Sequence, residues 1–288
     1  MFKSRLGYLI TWLALAAATF ALAEEPISPD TPVEPPASAT NLWFDVGEHL
    51  TYDIYWGFIH VGQTEVTTEW VKHEDGRTLL RIRFKTRTNR VVETLYPVED
   101  IQETLIDPET FLPVQNLVKS RQGRRSQHEI TRFDHQAKKA HWESLKKNRK
   151  KEVDIEADTR DIISSMYFIR SKNYAVGDSI EMKVFTDEKL YDLFVKIPKK
   201  EKVNLDTYGQ VASLRFDPEA AFNGLFVRKG KMTLWVSDDG RKLCTKITAE
   251  VPVAKIRIQL LKVSGPGRDF WVGQAESGAP EVTPVPRS

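Results

Sequence analysis

Catalysis needs reactive side chains at workable spacing, and the Ser, His, Cys and acidic residues of this chain are scattered. There is no Gly-x-Ser-x-Gly elbow, and Ser164-Ser165 has no base close to it in sequence. The histidines (His49, His60, His73, His128, His135 and His141) form neither a His-Glu-x-x-His motif nor a close pair at ligand spacing, so no metal centre is expected. Asp154, Glu156 and Asp158 alternate with Val153, Ile155 and Ala157 as the wet face of a strand, without the glycine-containing acidic loop of a calcium site. Gly265-Pro266-Gly267 reads as a turn, not as a loop that cradles phosphate, and no cofactor site is legible. The single cysteine, Cys244, falls on the polar phase of its strand with Lys242 and Lys246, where nearby charge decides whether a thiol reacts. Asp100, Glu103, His60 and His128 are the acid–base groups from which a hydrolytic site would have to be assembled in three dimensions.

Positive charge is what the sequence does concentrate. Between Lys119 and Lys151 stand 12 basic and 3 acidic residues. Arg81, Arg83, Lys85 and Arg87 alternate with Leu80, Ile82, Phe84 and Thr86 and add a cationic strand face. Arg81, Arg83, Arg87, Arg124 and Arg125 are therefore the candidate residues for an anionic ligand. Basic strand edges also deter aggregation, so a solvated surface and attraction to anionic lipid or envelope polymer both fit. Tyr52, Trp56, Tyr96, Tyr167 and Trp235 are candidates to line an apolar groove, if a curved sheet leaves its concavity unfilled. The same aromatics would otherwise make the core.

These side chains must be positioned by strands, because the dominant period is two. Thr64 to Trp70 and Leu80 to Arg87 alternate apolar or small with polar residues, as do Leu50-Tyr52-Ile54-Trp56 and the rows Met232-Leu234-Val236 and Leu243 to Val251. Ser237-Asp238-Asp239-Gly240 is a hairpin signal between the last two. Short connections demand antiparallel pairing. One segment breaks the pattern: Asp158 to Asp161 would cap a helix over about 159–172, with Ile162, Ile163, Met166, Tyr167 and Ile169 as its apolar stripe and Asn173 and Gly177 at its end. The expected fold is all-β and mainly antiparallel, a curved sheet, half-barrel or barrel, with one central helix packed on the sheet or plugging its open end. Val46-Gly47-Glu48 and Val176-Gly177-Asp178 open two similar β runs, a faint sign of two halves around that helix.

The ends of the chain give an address. Lys3 and Arg5 precede an uncharged run from Leu6 to Ala23, which closes Ala21-Leu22-Ala23 ahead of Glu24-Glu25. Charged n-region, apolar h-region and small-residue cleavage site in that order read as a signal peptide, residues 1–23, cut after Ala23. Without it the chain carries 40 basic and 40 acidic residues, which removes the global basic character of a nucleic-acid binder. Residues 24–41, with five prolines, form a tether without a core. Residues 42–264 form the β-rich domain and 265–288 a disordered tail.

Several ordered segments resemble a bacterial envelope family known as domain of unknown function 3108. They are Phe44-Asp45-Val46-Gly47-Glu48-His49-Leu50-Thr51-Tyr52, His60-Val61-Gly62, Leu95-Tyr96-Pro97-Val98-Glu99-Asp100, Asp161 to Arg170, and Gly230 to Asp239. The family pattern favours Pro near Cys244, from which this chain departs. The resemblance implies a periplasmic β-rich protein and supplies no catalytic residues.

The reading that unites these features is a non-catalytic periplasmic protein that binds a lipid or amphiphilic envelope component, with peripheral membrane contact and no nucleic acid. A structural or interaction module of an envelope complex is the alternative, reached by way of its tether; a hydrolase is third. Export makes a direct prediction. The intact mass of the protein from its own envelope fraction is expected to begin at Glu24, and a product retaining residues 1–23 would overturn it.

Overall fold

The computed structural model describes residues 42–219, 232–251 and 254–266, together with 33, 35 and 36. The expected signal peptide, most of the expected tether and the tail from 267 therefore lie outside the described residues. Fourteen strands follow the predicted alternation. Eight precede the central helix: β1 (His49–Trp56), β2 (Ile59–Lys72), β3 (Thr78–Thr88), β4 (Val98–Ile106), β5 (Pro113–Gln122), β6 (Arg125–Asp134), β7 (Lys139–Ser144) and β8 (Arg149–Asp154). Six follow it: β9 (Ser179–Thr186), β10 (Lys189–Leu205), β11 (Gly209–Glu219), β12 (Met232–Ser237), β13 (Cys244–Val251) and β14 (Ala254–Ser264). All ladder pairs are antiparallel, in one sheet ordered β8-β7-β6-β5-β4-β3-β2-β1-β14-β13-β12-β11-β10-β9. The first and last strands of the domain thus pair at the middle of the sheet, and β8 and β9, adjacent in sequence, are its two edges.

Those edges are brought together without a ladder. Arg160 makes an isolated parallel bridge to Val184. Its amide donates to Lys183 at 3.0 Å, and its carbonyl accepts from Phe185 at 2.7 Å. Phe133, Ala140, Trp142, Ile155 and Phe185 form an apolar cluster across the gap. Arg149 and Lys151 reach Glu188 in the β9–β10 turn. Side chains and one stray segment do here what backbone pairing does in a closed barrel.

Helix α2 (Ile162–Ile169) plugs the curved sheet, as the apolar stripe predicts, but is shorter than 159–172. Asp161 is the N-cap of a capping box with Ser164, while Thr159 is taken up by the turn at Glu156 and Arg160 by the bridge to β9. Ile163 and Tyr167 join the larger core with Leu50, Tyr52, Ile82 and Leu260; Ile162 and Ile169 pack against the second, built on Val184, Leu214 and Phe216. A helix greasy on both flanks has to lie inside the sheet, not on it.

A second helix, α1 (Arg90–Leu95), was not expected. Asn89 caps it by accepting from Val92 at 2.9 Å. Six residues are too few for periodicity to announce a helix.

Cys244 corrects the strand phase read from sequence. The register of β12 on β13 shifts between Trp235 and Val236, so that Trp235 pairs with Lys246 but Val236 pairs with Cys244. Thr245 is the extra residue of a bulge, and the residues on either side of it face opposite ways. Cys244 is consequently half-buried beside Tyr52 and Arg170 and does not share a face with Lys246. Burial pushes its thiol up to about 12, so it is not an activated nucleophile.

The sheet also requires Gly62, beside the β1–β2 bulge at Ile54/Tyr55. A Cβ there would overlap the Arg87 carbonyl oxygen and stand 2.9 Å from the Thr88 Cα. Gly62→Ala is expected to lose about 1–3 kcal/mol by overpacking two paired backbones. Chemical denaturation checks this, and an unchanged midpoint would contradict the close approach.

Candidate functional site

A cleft of about 250 Å³ opens beside the C-terminal end of α2, between that helix and the β11–β12 wall. Its floor is apolar: Ile169, Tyr174, Leu214, Phe216 and Val236. Its rim is polar, made by Asn173 and the turn Ser237–Gly240 with Lys242. Tyr174 meets Phe216 edge-on, with ring centroids 5.6 Å apart. Burial, then the charge of Asp178, raises the Tyr174 hydroxyl to about 12, so it stays a neutral hydrogen-bonding group. Asp239 is engaged in shaping the rim, accepting at one oxygen from the Ser237 hydroxyl and the amides of Arg241 and Lys242. Asp238 is ion-paired with Lys200. Lys242 is the one basic residue among those that line the cleft.

Helix and rim are held in register by one carboxylate. Glu48 is fully buried, and Arg170, just past the end of α2, grips it in bidentate fashion at 2.7 and 2.9 Å. Arg241, from the rim turn, donates to the same carboxylate at 2.6 Å. Arg170 Nε also donates to the Arg241 carbonyl at 3.2 Å, and the Tyr167 hydroxyl to Glu48 at 3.4 Å. Burial alone would push the Glu48 carboxyl upward, but Arg170 and Arg241 outweigh it and hold the group below its ordinary value. At the other end of α2, the buried Asp161 accepts from the Thr104 hydroxyl at 2.5 Å and the Asn116 amide at 3.1 Å, which docks the helix N-terminus on β4 and β5. The cleft wall is thus anchored at both ends by buried polar groups.

The sequence-derived candidates do not converge here. Arg81 pairs with Glu69, Arg83 with Glu103 and Arg87 with Glu99, in cross-strand pairs along the outer face of β3. Arg124 and Arg125 stand at the β5–β6 turn. The five aromatics proposed for a groove are likewise dispersed. Tyr52 and Tyr167 are core residues near Glu48, and Tyr96 is buried just after α1. Trp56 packs near Ile54 and Val61, and Trp235 donates to Glu201 at 2.5 Å beneath Lys246. Of the ten candidates, none lines the cleft. Leu214 and Phe216 on β11, and Tyr174 in the connection after α2, carry no signal in the sequence, because a single apolar residue says nothing about which element faces it.

Nor do the acid–base candidates assemble. Asp100 is buried and accepts from Ser120 and Gln122, both at 2.5 Å. Burial raises it to about 6. Glu103 is held by Arg83 on the opposite face of the same strand, and His60 by Asp53 at 3.0 Å. His128 stands opposite Lys119 on β5, and burial, with that neighbouring charge, lowers its pKa. Ser144 and Lys147 stand at Ser-x-x-Lys spacing, but across the β7–β8 turn, and the buried Ser144 hydroxyl has no hydrogen-bond partner. Among the described residues, no group of three His, Cys, Asp or Glu side chains is placed to hold a metal.

With this geometry in hand, comparison with known proteins settles the family. A family model described as "Protein of unknown function (DUF3108)" matches residues 51–260. The chain belongs to this family. No curated protein matches it. Among solved structures it is similar to the β-barrel-like protein of domain of unknown function DUF1849 from Brucella abortus, at 12% identity and a TM-score of 0.48, over 76% of this chain and 97% of that one. The family model spans the plug helix and the cleft walls of this DUF3108 chain, but not Glu48.

Removing the Glu48 charge would leave two guanidinium groups in the interior. Glu48→Gln is expected to destabilise the domain by about 3–5 kcal/mol at neutral pH, as measured by urea unfolding. Because the folded-state pKa of Glu48 lies below its unfolded value, the clamp's contribution is present above about 4.5 and is lost as pH falls through the folded pKa. The gap between wild type and variant is therefore expected to narrow on acidification, and a gap that widens would contradict the assignment.

Proposed function

We propose that this protein is a non-catalytic carrier or sensor of an amphiphilic envelope component in the periplasm, taken up in the cleft beside α2. The observation that carries the proposal is the cleft's division into an apolar floor and a polar rim with Lys242 at its edge. Such a division suits a ligand with a hydrocarbon segment and an anionic or hydrogen-bonding head. The volume, about 250 Å³, lies just under the ~300–1,000 Å³ of ordinary small-molecule sites, so the cleft takes a chain end or a short amphiphile and not a whole diacyl lipid. Export, inferred from residues 1–23, would place the domain where such molecules are found.

Native mass spectrometry of protein taken gently from its own envelope tests this reading. A reproducible adduct of lipid-like mass is expected on the wild type. Leu214→Trp, which fills the floor, is expected to abolish the adduct at a stability cost of about 1–3 kcal/mol, small enough for the domain to stay folded. A bare wild-type mass, together with no uptake of a fluorescent fatty acid, would overturn the proposal and favour the interaction-module reading.

A further inference from the structure

The cleft occupies one end of the curved sheet, with the β12–β13 turn and α2. Among the described residues, the other end carries a different set of connections: Gly57-Phe58 between β1 and β2, α1 between β3 and β4, Gly123-Arg124 between β5 and β6, Leu145–Asn148 between β7 and β8, and Asp187-Glu188 between β9 and β10. Several of them are tied to a neighbouring segment. Gly57 donates to the Lys255 carbonyl at 2.8 Å. The Asn89 side chain donates to the His60 carbonyl at 2.6 Å, and Gly123 to the Pro97 carbonyl at 2.9 Å. Lys146 meets Ser126, and Arg149 meets Glu188.

Large apolar side chains are exposed on this rim. Phe58 is 91% exposed, Val91 and Leu95 78% each, Ile59 55% and Leu145 45%. Of the large hydrophobics exposed among the described residues, only Val176 lies elsewhere. An exposed phenylalanine at a hairpin tip beside a helix that shows two aliphatic residues to solvent is poor design for a surface that meets only water. Val92, the remaining aliphatic on the helix, is the one turned down, onto the cluster of Ile54, Val61 and Ile256. Asn89 and Val92 thus fix the helix so that Val91 and Leu95 point away from the body.

The same rim is basic. Arg90, Arg124, Arg125, Lys146 and Lys147 are exposed there. Arg90 and Arg125 have no ion-pair partner among the described residues. Of the nearby acids, Glu99 is engaged by Arg87 and Glu188 by Arg149, while Glu93 on α1 and Asp187 in the β9–β10 turn stand outside the ion pairs. The outer faces of β2, β3 and β4, by contrast, are laced with Arg–Glu pairs, so apolar and unpaired cationic character coincide only at the end.

We infer that this end is a docking surface for an anionic phospholipid bilayer, with Phe58, Val91 and Leu95 entering the headgroup layer and Arg90 and Arg125 meeting lipid phosphates. Apolar residues that insert shallowly, ringed by cations that draw them to negative charge, are what peripheral attachment needs. No helix among the described residues is long and apolar enough to cross a membrane. The cleft sits at the far end, so a docked domain would hold its cleft away from the bilayer.

Co-sedimentation of the mature chain from Glu24 with vesicles of phosphatidylethanolamine and phosphatidylglycerol tests the inference, with phosphatidylcholine vesicles as the control. Binding is expected only to the anionic vesicles, and is expected to weaken as salt is raised. The exposed triple variant Phe58→Ser, Val91→Ser and Leu95→Ser should lose most of that binding at an unchanged thermal midpoint. Arg90→Glu with Arg125→Glu should lose it as well. Leu214→Trp should bind vesicles like the wild type, which separates this surface from the cleft. Wild-type protein that stays in the supernatant, or a triple variant that still sediments, would overturn the inference. So would a wild-type dimer, seen without vesicles, that the triple variant abolishes, because the face would then be covered by a second copy.

Discussion

One buried carboxylate organises the end of the molecule that carries the cleft. Glu48 precedes the first strand, Arg170 ends the plug helix and Arg241 lies in the turn between β12 and β13, so their meeting joins three parts of the chain that are remote in sequence. Two charges of one sign and one of the other cannot be taken out of water cheaply. The arrangement is tolerable because Arg170 is bidentate, its Nε finds the Arg241 carbonyl, and its guanidinium lies over Tyr167 and Phe44, 4.8 and 5.2 Å from their centroids. A hydrophobic cluster would hold the same elements together with less demand on geometry. The ion cluster adds uniqueness, since only one rotation of α2 and one path of the turn satisfy every donor.

That constraint reaches the cleft. Ile169 and Tyr174 flank Arg170 in sequence, and Lys242 and Asp239 flank Arg241, so the walls and rim of the cleft are direct neighbours of the clamp. The opposite anchor, Asp161 with Thr104 and Asn116, stops the helix from sliding along the sheet. A plug held at both ends keeps a small apolar cavity open against collapse onto its lining, which a loosely packed helix would not do. At the far rim, with α1 and the short turns, large apolar side chains remain at the surface.

Much of the architecture was legible because it depends on local periodicity. Alternation in Thr64 to Trp70 and in Leu80 to Arg87 survives into β2 and β3 with the predicted faces inward. The apolar stripe from Ile162 to Ile169 survives as α2, capped at Asp161, because capping chemistry lies within a few residues. Where an extra residue enters a strand the local argument fails. The bulge at Thr245 turned Cys244 inward, and nothing in Leu243-Cys244-Thr245 signals that a partner strand is one residue short. Helix α1 was missed for a related reason, since Asn89 as a cap is visible only after Val92 is known to be turned toward Val61.

The sequence by itself determined strand and helix periods, the absence of familiar catalytic motifs and the positive charge of the Lys119–Lys151 region, because each is a property of residue type and near-neighbour spacing. The family, too, was recognisable from short ordered segments. Only the tertiary structure decided which charges are matched and which are not. Arg81, Arg83 and Arg87 looked like a cationic face until register set Glu69, Glu103 and Glu99 beside them. Glu48 and Arg241 stand 193 residues apart in the chain, and only the fold brings both to Arg170. Charge pairing and cavity formation depend on contacts between residues far apart in the chain, and no local pattern records which of them will meet.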